Sequence, residues 1–491
     1  MIRDSGEGSR KEGGMKTHIT WVIWMVFVGV PVIAGDTTPA VSSDLEDLTG
    51  VSAERLGSLT LSEIIGLALE NNPATRASWN DAKAAAARHR METADYWPSL
   101  TADVNAQRSR ALSSPDRPTT PQNTWSAAAG LSWLLVDFGG REGAVARTDQ
   151  LRIAAELTHE GNIQDIILQV ATAYFRYMSM KALRDAERIN SAEAEANLEA
   201  ARRRHGVGLA TIADVLQAEA AESRARLNLQ RIEGELQITR GALALSMGLP
   251  ANIPYDIEAF PGDIDMDQVL LTVDQYIAEA LEKRPDFAAA KARVEAAGQN
   301  VREVRAKGLP SIKLTGSMGR MYYPDLDAVD DNYSDYYSGG LSLHVPLFTG
   351  FSSLYETRQA QRQVDAETAR RDQLEQRIVF QVFSAYYSLQ TASQQVKTSR
   401  DLLTSASKSE EVSLARYKEG VGTIIDLLSA QSVLADARSQ DVQSRWAWFT
   451  ALAQLIHDTG SMRAEFGKEI VTGIEPSARP FPQRSSSNEL E

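Results

Sequence analysis

Residues 207–214 read Val-Gly-Leu-Ala-Thr-Ile-Ala-Asp, and the pattern returns at residues 419–426 as Glu-Gly-Val-Gly-Thr-Ile-Ile-Asp. The same offset carries the segment Ala-Leu-Glu-x-x-Pro from residues 68–73 to residues 280–285. A period of this length is far above the roughly 20–50 residues of solenoid and propeller repeats. The sequence therefore predicts an internal duplication of a whole domain.

The repeated turn has the residue types of a connection between two helices. Each copy offers a glycine for the left-handed residue that ends a helix, a threonine that can cap the next helix, and an aspartate that can complete a capping box. In an alternative interpretation, compatible with the first, the aspartates also line the mouth of a tube, where acidic rings select and bind cations. These residues are Gly208, Thr211 and Asp214 in the first copy and Gly420, Thr423 and Asp426 in the second.

Two segments in each copy change from helical to alternating periodicity: residues 99–107 and 125–135, then 311–318 and 338–347. Strands of about ten residues with one apolar face are typical of membrane β-barrels, although a soluble sheet packed on helices gives the same pattern. Aromatic residues near the strand ends favour the membrane interpretation. They are Trp97, Trp125, Trp133, Tyr322, Tyr323, Tyr336 and Tyr337.

Four strands cannot close a barrel, and an open sheet edge in lipid leaves backbone groups unpaired at several kcal/mol each. If these strands enter a membrane, several chains must complete the barrel.

The helical segments are very long. No proline occurs from about Gly139 to Arg204 or from about Thr349 to Arg416, which at 1.5 Å per residue predicts helices of roughly 100 Å. Returning helices of about half that length follow each turn. A helix from about Leu61 to Tyr96 precedes the strands, and it is predicted to stack end to end with the returning helix beside the long one.

Heptad spacing in the returning helices predicts coiled-coil seams. In the first returning helix the spacing joins Leu229, Ile232, Leu236 and Leu243. In the second, two series of seven-residue steps begin at Leu428 and Ser432.

Composition excludes several classes of function. A net charge of −14 argues against a nucleic-acid partner, and the absence of cysteine removes disulfides and a thioether-linked lipid. The six histidines are scattered, and no phosphate loop or nucleophile elbow is present. Neither enzyme chemistry nor a metal or cofactor is therefore expected. The segment Asp137-Phe138-Gly139 is predicted to be a strand-to-helix turn, and Arg202 to His205 a solvated helix end.

Segment boundaries follow from the duplication and from composition shifts. An apolar run from Ile19 to Ile33, preceded by basic residues after Met15, predicts a cleaved signal peptide. The predicted segments are an N-terminal extension and signal peptide (1–34), an N-terminal segment (35–59), the first repeat (60–249), an equatorial linker (250–272), the second repeat (273–460) and a C-terminal equatorial or disordered tail (461–491).

Two ordered copies of the Ala-Leu-Glu-x-x-Pro, Pro-Ser, Phe-x-Gly and Gly-x-x-Thr-x-x-Asp motifs resemble the TolC-type outer-membrane efflux and secretion channels, over roughly residues 60–460. The resemblance implies a mainly α fold with a membrane β-barrel. In that fold a duplicated helix-strand-strand-long helix-helix repeat forms a homotrimer. Its twelve-stranded β-barrel is continuous with a twelve-helix periplasmic α-barrel.

By the same resemblance, Asp214, Tyr417 and Asp426 match positions of the periplasmic entrance and its gate. Gly422 and Ser429 stand where the best-known member has an arginine and an aspartate, so the closed tip is expected to be held differently or more weakly, and cation block to be milder. The helical tips implied to contact an adaptor are Gly208, Leu209, Ala210, Gly420, Val421 and Gly422.

The predicted function is that of a passive exit duct in the outer membrane of a Gram-negative bacterium, with a long periplasmic portion and contacts to outer-membrane lipid. A periplasmic adaptor and an inner-membrane pump would supply cargo and energy, in efflux or in type I secretion. The alternative is a periplasmic or surface coiled-coil or adhesin stalk without a channel. Cargo identity cannot be read from the residues, because a wide duct leaves selection to the pump.

Overall fold

The structure is a computed structural model of the chain, and it describes residues 59–110, 121–253, 255–258, 271–324, 332–464 and 466. The predicted signal peptide, nearly all of the N-terminal segment, most of the linker and most of the tail lie outside the described residues.

Both repeats have the same order of elements. The first contains α1 (Leu61–Asn71), α2 (Pro73–Thr93), a 3-10 turn (Ala94–Tyr96), β1 (Ser99–Ser109), β2 (Gln122–Val136), α3 (Gly140–Gly206) and α4 (Ile212–Ser246). The second contains α5 (Val273–Lys283), α6 (Pro285–Ala306), β3 (Ser311–Tyr322), β4 (Tyr333–His344), α7 (Ser352–Lys418) and α8 (Ile424–Asp458). No helix within the described residues has a stretch sufficiently long and apolar to span a bilayer.

The single helix predicted from Leu61 to Tyr96 is wrong, because the chain breaks at Asn72. Asn72 takes an extended conformation with ψ 123°, since the ring of the following Pro73 disfavours a helical residue before it. Arg284 does the same before Pro285, with ψ 122°. The break therefore recurs at equivalent places in both repeats.

The predicted end-to-end stacking is present in each repeat. Gly248 and Gly460 follow the returning helices with φ of +75° and +73°. An added Cβ at Gly248 would lie 2.8 Å from the backbone carbon of Asn71, and one at Gly460 would lie 2.9 Å from the amide nitrogen of Arg284. Each returning helix thus ends against the break between the two short helices.

The helices pack in a defined neighbour order. The long helix α3 contacts α2 and α4 of its own repeat and also α6 and α8 of the second repeat, whereas α7 contacts α5, α6 and α8. The helix layer consequently has α2 and α4 at one edge and α7 at the other.

One coiled-coil seam was predicted correctly and the other was displaced by one residue. Ile232, Leu236 and Leu243 are buried as expected, and Leu229 is half-buried. In α8 the buried heptad series begins at Leu427 rather than at Leu428. Periodicity alone did not distinguish the two series, because both are rich in apolar and small residues. The repeat offset would have identified the correct series, since it takes Leu236 to Trp448. The buried series in α8 is Leu427, Leu434, Asp441, Trp448 and Leu455.

The four strands form one antiparallel sheet in the order β1-β2-β3-β4. Leu100 pairs with Leu131, and Leu314 pairs with Leu341. Directly paired residues share a face, so the four predicted apolar faces are one continuous surface. Tyr337 pairs with Met318 inside β4, which corrects the prediction that it lies near a strand end.

This apolar surface is not covered by the other described residues. Leu100, Val104 and Leu341 are 78%, 63% and 65% exposed, so the described helices do not pack against them. The predicted alternative of a sheet buried on a helix layer is therefore wrong.

Candidate functional site

The site comprises the two helix-turn-helix tips, residues 204–216 (the first tip) and residues 416–428 (the second tip). Gly208 and Gly420 take φ of +79° and +77°, a conformation that glycine adopts without steric cost. The amide of Leu209 donates to the carbonyl of Arg204 at 2.8 Å, and that of Val421 donates to the carbonyl of Arg416 at 3.0 Å. These bonds close the long helices as the sequence predicts.

Both predicted capping boxes are present. The Thr211 amide and hydroxyl donate to Asp214 Oδ2 at 2.7 and 2.9 Å, and the Asp214 amide donates back to Thr211 Oγ1 at 3.2 Å. Thr423 and Asp426 repeat the arrangement at 3.2, 2.8 and 3.1 Å. The hydrogen bonds from the Thr423 side chain and backbone hold the pKa of the exposed Asp426 carboxyl below its usual range. The carboxylate is thus ionised at any physiological pH.

The second turn is tighter than the first because of Gly422. Its amide also donates to the carbonyl of Arg416, at 3.0 Å. An added Cβ at this position would lie 3.1 Å from Arg416 Cβ and 3.2 Å from the Tyr417 amide nitrogen. The first repeat has Ala210 in the equivalent place. A larger side chain at 422 would therefore crowd the end of α7.

Tyr417, predicted as a gate residue, is 7% exposed. It packs in a cluster with Ile424 and Leu427 at the base of the second tip. Burial raises the pKa of its phenol, the guanidinium of Arg204 lowers it, and the carboxylate of Asp214 raises it. The charge of Asp214 thus acts on Tyr417, whereas the charge of Asp426 interacts with Arg416.

Arg204 corrects the prediction of a solvated helix end. Arg202, Arg203 and His205 are exposed, but Arg204 is half-buried. Its guanidinium carbon lies 4.7 Å from the centre of the Tyr417 ring, and its Nη1 donates to the Tyr417 carbonyl at 2.8 Å. The sequence did contain a signal for this contact. The repeat offset pairs Arg204 with Arg416 and His205 with Tyr417, so the two tips carry different aromatic residues at equivalent positions.

The predicted adaptor-contacting residues lie at the ends of the tips. Leu209 and Val421 are each 70% exposed, and Gly208 and Gly420 are also exposed. Ala210 and Gly422 are half-buried. Each tip therefore presents several apolar side chains to its surroundings, with Val207 and Ile212 also exposed in the first tip and Ile425 in the second.

A polar seam joins the first hairpin (α3 and α4) to the second (α7 and α8). Arg438 of α8 makes a bidentate pair with Glu193 of α3 at 2.9 and 3.0 Å and donates to Asn190 Oδ1 at 2.7 Å. Nearer the tips, Asn197 Nδ2 donates to Gln431 Oε1 at 2.7 Å. A cavity of about 810 Å³ adjoins this seam between α4 and α8. Sequence patterns did not reveal the seam, because its members come from different repeats and lie far apart along the chain.

The described residues contain no cluster of three or more acidic, histidine or cysteine side chains positioned to hold a metal ion.

Comparison with known proteins now decides the family. Residues 64–249 and 276–461 each match the outer membrane efflux protein family, and these two ranges are related by the same offset as the repeated turns. The chain belongs to the outer membrane efflux protein family. The predicted resemblance to TolC-type channels is confirmed, and these proteins are passive channels of the outer membrane rather than enzymes.

The relatives and structural neighbours agree with this membership. Protein CyaE of Bordetella pertussis is 29% identical over 448 residues, which cover 91% of this chain and 92% of that protein. The toluene efflux pump outer membrane protein TtgF of Pseudomonas putida is 28% identical over 78% of this chain and 79% of its own length. The outer membrane protein VceC of Vibrio cholerae has the same fold, with a TM-score of 0.70 at 22% identity, over 82% of this chain and 96% of that chain.

Proposed function

We propose that the protein is a homotrimeric exit duct, with a twelve-stranded barrel in the outer membrane of a Gram-negative bacterium and a twelve-helix tunnel through the periplasm. It conducts cargo passively from a periplasmic adaptor and an inner-membrane pump. The names of relatives such as TtgF, an efflux pump outer membrane protein, support the pump partnership.

The observation that carries the proposal is the pair of free edges in the sheet. Among the described strands, β1 pairs only with β2, and β4 pairs only with β3. Since β1 and β4 run antiparallel, β4 of one copy can extend the ladder onto β1 of the next. Three copies would then make a closed barrel, which leaves no backbone group unpaired in lipid.

The helix layer supports the same head-to-tail contact. Its edges are α2 and α4 on one side and α7 on the other. On α7, Phe380 is 69% exposed and Phe383 and Tyr387 are also exposed, while α4 exposes Leu227 and Ile238. Repeated head-to-tail contacts between unlike edges close into a ring when the rotation permits. Such a ring would cover these apolar side chains.

Exposed aromatic residues support membrane insertion of the sheet. Trp125 and Tyr333 are exposed at one end of the strands, and Trp97 and Phe348 flank the other end. Eleven residues of strand span roughly 36 Å along the strand direction, and a strand tilt of about 40° reduces this to roughly the 25 Å of an outer-membrane apolar band.

The tips then form the periplasmic entrance. Asp214, Tyr417 and Asp426 would lie around the opening, and the six tip residues from Gly208 to Ala210 and from Gly420 to Gly422 would contact the adaptor. Asp426 remains ionised while it caps its helix, so one carboxylate can serve both purposes. Whether the cargo is a small molecule or a polypeptide depends on the pump.

Fractionation, native mass spectrometry and planar bilayers test the proposal together. We expect the processed protein in the outer-membrane fraction, a threefold mass in detergent and stepwise ion conductance in bilayers. A cysteine pair placed on β1 and β4 should form disulfides between copies, whereas a pair on β1 and β3 should not. A monomer that needs no detergent and gives no conductance would contradict the proposal and favour the stalk alternative.

A further inference from the structure

The contact between Arg204 and Tyr417 joins the two repeats at their tips. Arg204 is in the last turn of α3, in the first repeat, and Tyr417 is in the last turn of α7, in the second. The ring stacks under the guanidinium at 4.7 Å, and the same side chain reaches the carbonyl of Tyr417 at 2.8 Å. A cation at the carbonyl end of a helix is favourable because of the helix dipole.

The arginine also extends over the second turn. An added Cβ at Gly420 would lie 3.8 Å from Arg204 Nη2, so the guanidinium covers the glycine that ends α7. One side chain of the first repeat thus contacts the ring, a terminal carbonyl and the turn of the second repeat. Lysine would replace it only in part, because its ammonium keeps the charge but lacks the flat fork that stacks and donates at once.

This contact is not saturated with hydrogen bonds. Arg204 Nε and the Tyr417 hydroxyl are both buried without a partner among the described atoms. A buried polar group without a partner costs free energy that would be recovered on exposure to water. Stacking and one hydrogen bond to a carbonyl therefore favour the contact. The two unpaired polar groups weaken it, so the tips are able to separate.

The interiors of the hairpins differ from the seam between them. Leu198, Ala201 and Val215 pack inside the first hairpin, and Ala406 and Leu434 pack inside the second. Between the hairpins the contacts toward the tips are polar, including the pair of Glu193 with Arg438, whereas farther from the tips Phe175 of α3 stacks on Phe449 of α8 with ring centres 5.4 Å apart. Polar groups that separate can form hydrogen bonds with water instead, whereas apolar groups that separate have no such replacement. Each hairpin should therefore move as a unit, with relative motion largest at the tips.

We propose that Arg204 is a positioning residue of the entrance, which holds the second tip against the first within one chain and so sets the closed state of the duct. The inference rests on the proposed function, because a closed state has meaning only for a channel. Tyr417 provides the surface on which Arg204 acts.

The test compares Arg204→Ala with the matched control Arg203→Ala. Arg203 is on the same turn and is exposed, and among the described residues its ion pair is with Glu199 of its own helix. In planar bilayers we expect Arg204→Ala to raise the open fraction about tenfold, the size expected for loss of a stacked and charge-assisted contact. Arg203→Ala should match the unmodified channel, and Arg204→Lys should give partial rescue.

A second measurement is independent of conductance. The chain has no cysteine, so spin labels at Leu209→Cys and Val421→Cys report the distance between the tips without background labelling. Dilution with unlabelled chain restricts the signal to pairs within one copy. Arg204→Ala should lengthen the mean distance and broaden its distribution, and Tyr417→Leu should have the same effect. The double variant should show no larger change than Arg204→Ala alone.

The outcomes separate the two proposals. If the unmodified protein conducts and Arg204→Ala changes neither the open fraction nor the label distance, the role of Arg204 is refuted while the duct stands. If the unmodified protein never conducts but Arg204→Ala still separates the labels, the tip contact stands and the duct is refuted. Equal changes in Arg203→Ala would also refute the specific role of Arg204.

Discussion

At the first tip His205 is exposed and its Nδ1 lies 2.9 Å from the carbonyl of Ala210, whereas at the second tip the equivalent Tyr417 is buried beneath Arg204. The glycine, threonine and aspartate of the two turns nevertheless have nearly identical geometry. The duplication has therefore kept the residues that build each hairpin and changed those through which the two hairpins meet. Equivalent positions with unlike residues identify the contacts between repeats.

The same comparison holds at the opposite ends of the returning helices. In the first repeat Asn72 caps its own helix, with its Oδ1 accepting from the amide of Ala74 at 2.9 Å. In the second repeat the equivalent Arg284 is buried, forms a bidentate pair with Asp286, and donates to the carbonyl of Asp458 at 3.2 Å. A local cap in one copy is thus a long-range connection in the other.

The largest expected effect comes from Gly460→Ala, with Gly420→Ala as its matched control. Both glycines have positive φ, which costs another residue about 1–2 kcal/mol. At Gly460 an added Cβ would also meet the Arg284 backbone at 2.9 Å, whereas at Gly420 the nearest atom is 3.8 Å away. We expect a loss of about 4 kcal/mol for Gly460→Ala, seen as a lower unfolding midpoint in detergent. Equal midpoints for the two variants would contradict the close end-to-end packing.

The next effect is expected for Arg284→Met, compared with Asn72→Ala. Removal of the guanidinium leaves the buried Asp458 with His457 and Gln454 as its remaining partners. We expect a loss of about 3 kcal/mol, at the low end for breaking a buried ion pair, against about 1 kcal/mol for loss of the Asn72 cap. Thermal unfolding followed by circular dichroism measures both. A smaller loss for Arg284→Met than for Asn72→Ala would refute its role as a connection.

A pH-dependent effect of intermediate size is expected at His457, whose equivalent in the first repeat is the exposed Leu245. Burial disfavours the charged ring, but bonds with Asp165 at 2.9 Å and Asp458 at 3.0 Å outweigh it and raise the pKa of His457 to about 9. A raised pKa stabilises the fold fully below the unfolded value of about 6.5 and loses this contribution as the pH rises through the folded value.

We therefore expect the free energy of unfolding to fall by about 2 kcal/mol between pH 7 and pH 9. His457→Leu, which restores the first repeat's residue, should flatten this slope and lower stability at pH 7. Denaturant titrations at several pH values give the measurement. An unchanged slope in the variant would exclude His457 as its source.

Sequence patterns predicted the strands and both capping boxes because these depend on neighbours within a few residues, and they predicted the repeat because several motifs recur at one offset. The break before Pro73 was missed although proline signals it, since one helical periodicity runs through both segments. Arg204, Arg284 and Arg438 could not be assigned partners, because each acts on a residue far away in sequence. Periodicity identifies a face of a helix but does not say which partner will cover it.

The smallest expected effect concerns divalent cations at the two capping aspartates. If Asp426 lines the entrance, Asp426→Ala should raise the concentration of divalent cation needed for half-block severalfold, because rings of carboxylates bind such ions. Asp426→Asn should do the same while retaining a capping oxygen, and Thr423→Ala, which removes the cap but keeps the charge, should change block little. Asp214→Asn tests whether the first tip contributes equally. Since Asp426 has a lowered pKa, block in the unmodified channel should persist to a lower pH than an ordinary aspartate would permit. Planar-bilayer recordings decide between the two roles. If cation block changes in Thr423→Ala but not in Asp426→Asn, the aspartate acts only as a helix cap.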